Sequence, residues 1–176
     1  MNVLFIALYP PDPPVDGGRL RTYNILKQAA LRHRVTLVCF ADPLSGPEAQ
    51  DRLRRMCERV VVVPLAVTAR RGVRDKLADL PRRLPAGLRQ WESEEFVARL
   101  RELADSGVFN IAHIDHLALA QYQAALGALP VVLTHHNVEG LAQQRANRLA
   151  SDGAVWQRMA RSWETRRWVK IGRAHV

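Results

Sequence analysis

Cysteine is scarce in this chain, and so is every familiar nucleotide-binding or nucleophile motif. Only Cys39 and Cys57 occur, in VTLVCF and DRLRRMCERV, with no CxxC pair and no metal-ligand spacing. That excludes a disulfide framework and a cysteine-held zinc, and both are expected to be reduced, structural thiols. No apolar run approaches the roughly 18 residues a membrane-spanning helix needs, and the N-terminus lacks the basic region and cleavage site of a signal peptide. A cytoplasmic protein is the expectation. No two glycines stand at i and i+2, and neither GxxxxGK[ST] nor GxSxG is present, so the dinucleotide fingerprint, the phosphate loop and the nucleophile elbow are all missing. No Asp-x-Asp occurs, which removes a common carboxylate pair for holding a metal ion. His113, His116, His135 and His136 have neither cysteine nor HExxH support for a zinc site. No metal and no cofactor are expected.

Lysine is also rare. Of 26 basic residues only Lys27, Lys76 and Lys170 are lysine, so arginine carries the net charge of +9. Such a surplus favours anionic partners, whether nucleic acid, acidic lipid headgroups or phosphorylated substrates. An arginine-rich solvated surface reflecting coding bias accounts for it equally well.

What is present is an alternation of apolar runs and amphipathic stretches over 176 residues, enough for one domain with a core. The pattern is that of an α/β fold, a Rossmann-like parallel sheet flanked by helices. Strands are expected near Val3–Leu8, Val35–Phe40, Val60–Leu65, Ile111–Asp115 and Val131–Thr134. Leu20, Tyr23, Leu26, Ala29 and Ala30 recur at helical spacing, so residues 19 to 32 should pack on the sheet. Pro47 suits a first helical turn ahead of a helix from Ala49 to Cys57. The stretch from Thr68 to Gln90 reads as short helices and loops. Trp91 to Ala104 resumes a helix with Phe96, Val97, Leu100 and Leu103 on one side, ended by Ser106-Gly107. From Glu139 onward the pattern is helical, with a break at Ser151-Asp152-Gly153. Trp156, Met159, Ala160 and Trp163 form a stripe that suits core packing, and the neighbouring arginines also suit a lipid surface. The last six residues, IGRAHV, read as translated sequencing-adapter sequence. Residues 171–176 are therefore expected to be a non-native tail on a truncated product, with one domain over 1–170.

Chemistry concentrates at two places. In NVLFIALYPPDPPVDGGRLR a buried strand breaks into a proline-rich loop that delivers Gly17-Gly18 to a helix start. Glycine there lets a backbone approach a ligand, where a helix N-terminus already favours anions. The second place is the C-terminal ends of the fourth and fifth expected strands, where IAHIDH and THHNVE bring His113, Asp115, His116, His135, His136, Asn137 and Glu139. In an open α/β sheet ligands bind at that edge. Imidazole, amide and carboxylate groups there suit hydrogen bonding to sugar hydroxyls, polarising a phosphate, or proton transfer near neutral pH.

With these motifs in view, the chain resembles the N-terminal, acceptor-side domain of family 4 glycosyltransferases, the first half of a GT-B fold. The match runs from Met1 to about Lys170, and rests on the opening segment, RHRVTLVCF, IAHIDH, and THHNVE followed by a Trp- and Arg-rich helix. The resemblance implies retaining, metal-free transfer of a sugar from a nucleotide-sugar donor to a polysaccharide or lipid-linked acceptor. It implies that Gly17 and Gly18, with Arg19 and Arg21, lie against the donor diphosphate and the acceptor. In the family the loop after the fourth strand offers a catalytic-side histidine, and the nearest groups here are Asp115 and His116. His136, Asn137 and Glu139 match the segment lining the cleft below. The family's second Rossmann-like domain, with its paired glutamates, has no counterpart in the chain. Negligible transferase activity by this chain alone is therefore expected. Peripheral contact with the anionic inner face of the membrane would employ the basic surface. A sugar-nucleotide epimerase of the same architecture is one alternative. A non-catalytic nucleic-acid-binding module is another, though the expected ligand edge holds no aromatic platform for bases.

Overall fold

The computed structural model describes residues 1–65, 88 and 90–135. The excursion over 68–90, except Leu88 and Gln90, the helix expected from Glu139, the Trp156–Trp163 stripe and the 171–176 tail lie outside the described residues. The chain divides into two compact units, Met1–Leu65 with Ser93–His136, and Ala66–Glu92 with Asn137–Val176. The first is the α/β unit described below.

Its centre is a five-stranded parallel sheet in the order β3-β2-β1-β4-β5. The strands are β1 (Asn2–Ala7), β2 (Arg34–Phe40), β3 (Arg59–Val63), β4 (Ile111–Ile114) and β5 (Val131–Leu133). Five short apolar runs thus become one Rossmann-like sheet, because a parallel sheet covered on both faces tolerates apolar side chains in both directions. β3 stops at Val63, where Pro64 brings no N–H to continue the ladder. Phe5 lies opposite Leu37 on one side and His113 on the other.

Helix α1 (Gly17–Ala30) joins β1 to β2, and α2 (Pro47–Met56) joins β2 to β3. Asp16 caps α1, its Oδ1 accepting the Arg19 N–H at 2.9 Å. α2 opens on Pro47 with Glu48 in its first turn and ends with Arg54 and Arg55, charges that complement the helix dipole. Val3, Phe5, Ala7, Leu37 and Cys39 pack with Leu26 of α1 and Leu53 of α2 into one buried core. Alternation along the strands sends Leu4, Ile6 and Phe40 to the other face. There Phe40 stacks on Phe96 at 4.2 Å, and Phe96 meets Tyr122 at 4.8 Å.

Phe96 belongs to α3 (Glu94–Asp105), capped by Ser93 Oγ, which accepts the Phe96 N–H at 3.2 Å. The chain leaves α3 through Gly107 at φ +68, a left-handed conformation that suits glycine. Tyr122 lies in a 310 segment over Leu117–Leu126, an element the sequence pattern does not predict.

α1 differs from expectation in one respect. It starts at Gly17, two residues earlier than the apolar pattern indicates, and its buried residues are Thr22 and Leu26 while Leu20 is 49% exposed. The inward stripe is rotated so that a hydroxyl enters the unit, and the carboxylate it meets is the reason.

Candidate functional site

The strand order reverses direction between β1 and β4, and in open α/β sheets the crevice at that switch point, beyond the carboxyl ends of the strands, is where ligands bind. An open cleft of about 170 Å³ lies there. Leu8, Tyr9 and Pro11 of the loop after β1 form one wall, Gly18, Arg19 and Thr22 of α1 another, and Asp115 and His116 beyond β4 a third.

The β1–α1 loop is pinned from below. Arg52 of α2 grips the buried Asp12 carboxylate through two hydrogen bonds of 2.8 Å, and Ser45 Oγ donates to the Asp12 carbonyl at 2.8 Å. Two charge-assisted bonds in a planar fork fix orientation as well as position. The Phe40 N–H donates to Leu8 O at 3.1 Å, carrying the sheet ladder up to the cleft wall.

Asp115 is the buried carboxylate of the site, 2% exposed overall. Its Oδ2 accepts from Thr22 Oγ1 across the β4–α1 gap, and the same hydroxyl lies 3.0 Å from the Gly18 carbonyl one turn back. Its Oδ1 lies 4.0 Å from His113 Nε2. A buried carboxylate persists when hydrogen bonds replace the water it lost, and Thr22 supplies such a bond.

His116 plays a different part. It precedes the 310 segment, and its Nδ1 accepts the Ala118 N–H at 3.0 Å. A neutral imidazole with Nδ1 accepting carries its proton on Nε2, so the ring is a donor to its surroundings. The site therefore sets a donor, His116, beside the buried Asp115 carboxylate.

Arg19 lines the cleft, and its guanidinium is already engaged. Its Nη2 stands 2.5 Å from Asp42 Oδ2, an ionic contact off the hydrogen-bond direction, and its Nε is 3.5 Å from Asp16. The guanidinium carbon also sits 5.1 Å from the centre of the Tyr9 ring, a cation–π arrangement. Burial, with Asp42 adding to it and Arg19 opposing, pushes the Tyr9 phenol above its ordinary value.

Of the residues expected at the site, Gly18, Arg19, Asp115 and His116 come together in the cleft. Gly17 and Gly18 open α1 with ordinary helical geometry, and a Cβ on Gly17 would meet nothing within 4 Å among the described residues. Arg21 is turned elsewhere, its Nη1 donating to the His135 carbonyl at 2.8 Å. His113 does not stand at the sheet edge. Its ring lies against Phe5 at 4.6 Å, with Nε2 2.8 Å from Thr134 Oγ1. Burial is the main influence pushing that imidazole below its ordinary value, with Asp115 pulling up and Arg21 pushing down. His136, Asn137 and Glu139 lie outside the described residues.

Sequence reasoning missed Tyr9, Asp16, Thr22 and Asp42. Thr22 carried a legible signal, because it stands four residues before the buried Leu26, one turn away on the same helix face. Asp42 had none, since its partner Arg19 is 23 positions away in the chain. Among the described residues no three His, Cys, Asp or Glu side chains gather closely enough to hold a metal ion, and no helix is long and apolar enough to cross a membrane. No family model matches the chain, and no curated protein or solved structure matches it either.

Proposed function

We propose that the cleft is the acceptor-side half of a glycosyltransferase site, in an enzyme that moves a sugar from a nucleotide-sugar donor to a polysaccharide or lipid-linked acceptor with retention. The observation that carries the reading is the meeting of Asp115 and His116 with the start of α1 at the switch point of the sheet. The chemical class rests on the opening NVLFIALYPPDPPVDGGRLRTYN and the THHNVE segment.

In this reading the wholly buried Asp115 side chain fixes the start of α1 through Thr22, and His116 donates through Nε2 to a ligand oxygen. Buried hydrogen-bonding groups of fixed orientation discriminate strongly between substrates that do and do not satisfy them. Gly17 and Gly18 keep the approach to the helix N-terminus open. Asp16 already occupies the Arg19 amide, which leaves the first two amides of α1 for an anionic ligand group.

Saturation-transfer NMR tests this on the purified chain, with UDP-glucose, GDP-mannose and a set of methyl glycosides as probes. Binding that weakens at least about tenfold in His116→Ala supports it, since a hydrogen bond to a charged ligand group contributes about 1.5–3 kcal/mol. Failure of every nucleotide sugar and glycoside to bind would sink it. A second expectation belongs with it. Half a site supplies neither the full binding energy nor the charge stabilisation of the transition state, so the chain alone should turn over no radiolabelled nucleotide sugar. Measurable transfer by this chain refutes that part.

A further inference from the structure

Arg19 is the only arginine or lysine among the described residues that line the cleft, and its charge is answered from within the protein. Its Nη2 stands 2.5 Å from Oδ2 of Asp42, a residue of the loop after β2 that is not itself part of the cleft wall. The two side chains are 12% and 8% exposed, so the pair is weakly screened. Asp16 is a second carboxylate in reach, 3.5 Å from Nε, but its side chain is 59% exposed and its Oδ1 already caps α1. Water screens that contact, and Asp42 is the main counter-ion.

The pair is close without being well bonded. Asp42 Oδ2 and Arg19 Nη1 are both buried, and neither makes a hydrogen bond among the described residues. A guanidinium on its best partner presents two N–H groups to two oxygens, as Arg52 does to Asp12. Arg19 and Asp42 fall short of that geometry. Because buried donors and acceptors are normally paired, the arrangement has hydrogen bonds left to gain. Asp42 also has an alternative to Arg19. Its Oδ1 accepts the Leu44 N–H at 3.3 Å, in a turn closed by the Ser45 N–H on the Asp42 carbonyl, and Leu44 on that turn is 59% exposed. On parting from Arg19 the carboxylate keeps a donor and has water at hand.

We infer that Asp42 is a stand-in for the ligand's own anion, holding Arg19 until a phosphoryl group in the cleft takes its place. This rests on the reading of the cleft as a site for a sugar carried on phosphate. A phosphoryl group offers several oxygens to the planar fork of donors, and so can satisfy Nη1 and Nη2 together. The Arg19 backbone is held by the Asp16 cap, so the exchange is a rotation of the side chain toward the cleft it lines, carrying the guanidinium off the Tyr9 ring.

The sign of the Asp42 effect follows from this. A ligand that must first break an internal ion pair binds with an affinity reduced to the fraction of molecules in which the arginine is free. Asp42 therefore lowers affinity for phosphate, whereas a residue that merely oriented Arg19 would raise it. The contact also sorts ligands by charge, since a neutral sugar has nothing with which to displace a carboxylate.

Inorganic pyrophosphate is the first probe, added to the intact chain while NMR follows the Arg19 Nε and Asp42 carboxyl carbon signals. In the wild type the two should shift along one titration curve, because each loses the other. Asp42→Asn keeps the shape and the oxygen that faces Leu44, and should tighten pyrophosphate binding by about fivefold, the upper end for an ion pair at a surface. Arg19→Gln should weaken it by at least as much. An Asp42 signal that stays in place while pyrophosphate binds overturns the inference, and the wild type alone gives that result even where a variant fails to fold. Affinity that is unchanged or weaker in folded Asp42→Asn also overturns it, as does failure of pyrophosphate to bind wild type and Asp42→Asn alike.

UDP-glucose, geranyl diphosphate and methyl glycosides separate this inference from the functional reading. Tighter UDP-glucose binding in Asp42→Asn puts the exchanged phosphate on the donor, tighter geranyl diphosphate binding puts it on a lipid-linked acceptor, and either supports the exchange. Pyrophosphate exchange with no binding of any nucleotide sugar or glycoside leaves the Arg19–Asp42 switch standing and removes the glycosyltransferase reading. Nucleotide-sugar binding that moves neither NMR signal overturns the exchange alone.

Discussion

Thr22 is the residue that turns Asp115 from a strand-end carboxylate into a fixed part of the cleft, and Thr22→Val is its cleanest probe. The substitution keeps the shape and removes the hydroxyl, leaving a buried oxygen short of a donor, so unfolding in urea should show a loss of about 1–3 kcal/mol. Thr22→Ser should recover most of it. Gly17 tests the opposite case. Nothing among the described residues requires a glycine there, so Gly17→Ala should raise stability by about 0.5–1 kcal/mol. If a ligand approaches that backbone, the same change weakens its binding, and the two readouts move in opposite directions. The His113 imidazole is pushed below its ordinary value chiefly by burial, so its folded titration lies below the unfolded value of about 6.5. The unfolded chain then binds the proton more readily. Stability should be complete above that pH and fall as acid carries the solution through the folded titration. His113→Gln should flatten this part of the acid limb when urea midpoints are compared at neutral and mildly acidic pH. Burial likewise pushes the Cys57 thiol up to about 11 and the Cys39 thiol higher still, so iodoacetamide at neutral pH should label neither until the chain is unfolded. At this scale the sequence was informative where chemistry follows a strand directly, as with Asp115 and His116. It was silent where a pair forms across the chain, because nothing local at Arg19 indicates that Asp42 and Tyr9 will engage its guanidinium.

Among the elements, the strands were the most legible. Val3–Leu8 and Val35–Phe40 each fall within a residue of the observed β1 and β2, since a strand buried on both faces shows as an unbroken apolar run. α1 was misplaced at its start because Gly17-Gly18 read as loop, whereas Asp16 caps the helix and the glycines form its first turn. The 310 segment left no trace in LALAQYQAAL, where seven of ten residues are buried on all sides and no period separates an inner from an outer face. Its role is nonetheless testable through the aromatic cluster it completes. Phe40→Ala removes the ring that stacks on Phe96 from β2, and should cost about 3–5 kcal/mol in urea unfolding. The loop from β1 to α1 depends on a different contact. Arg52→Met would strip the buried Asp12 carboxylate of both its guanidinium bonds, and should lower the urea midpoint while loosening the Tyr9–Pro11 wall. Faster amide exchange at Leu8 and Tyr9 would report that loosening.

For the molecule as a whole, the net charge of +9 does not find its outlet in the cleft. Asp16 and Asp115 line it, and Arg19 is committed to Asp42. We propose that the arginine surplus serves a partner elsewhere, an anionic lipid surface where the acceptor is lipid-linked. Sedimentation with anionic vesicles should carry the chain down and release it as salt is raised, while neutral vesicles leave it in solution. Equal sedimentation with both would remove the electrostatic part of that proposal. The order of the sheet has a further consequence, for the chain as it is made. β1 is synthesised first and occupies the middle, with β2 on one side and β4 on the other. The bond from the Asn2 N–H to Asn110 Oδ1 spans 108 positions. At roughly 5–20 residues per second, one edge of β1 waits about 5–20 s on the ribosome before its partner exists. Through that interval its N–H and C=O groups are open to any passing strand. The hazard of mispairing is thus set less by the sequence of β1 than by the pace of translation through the hundred residues that follow it.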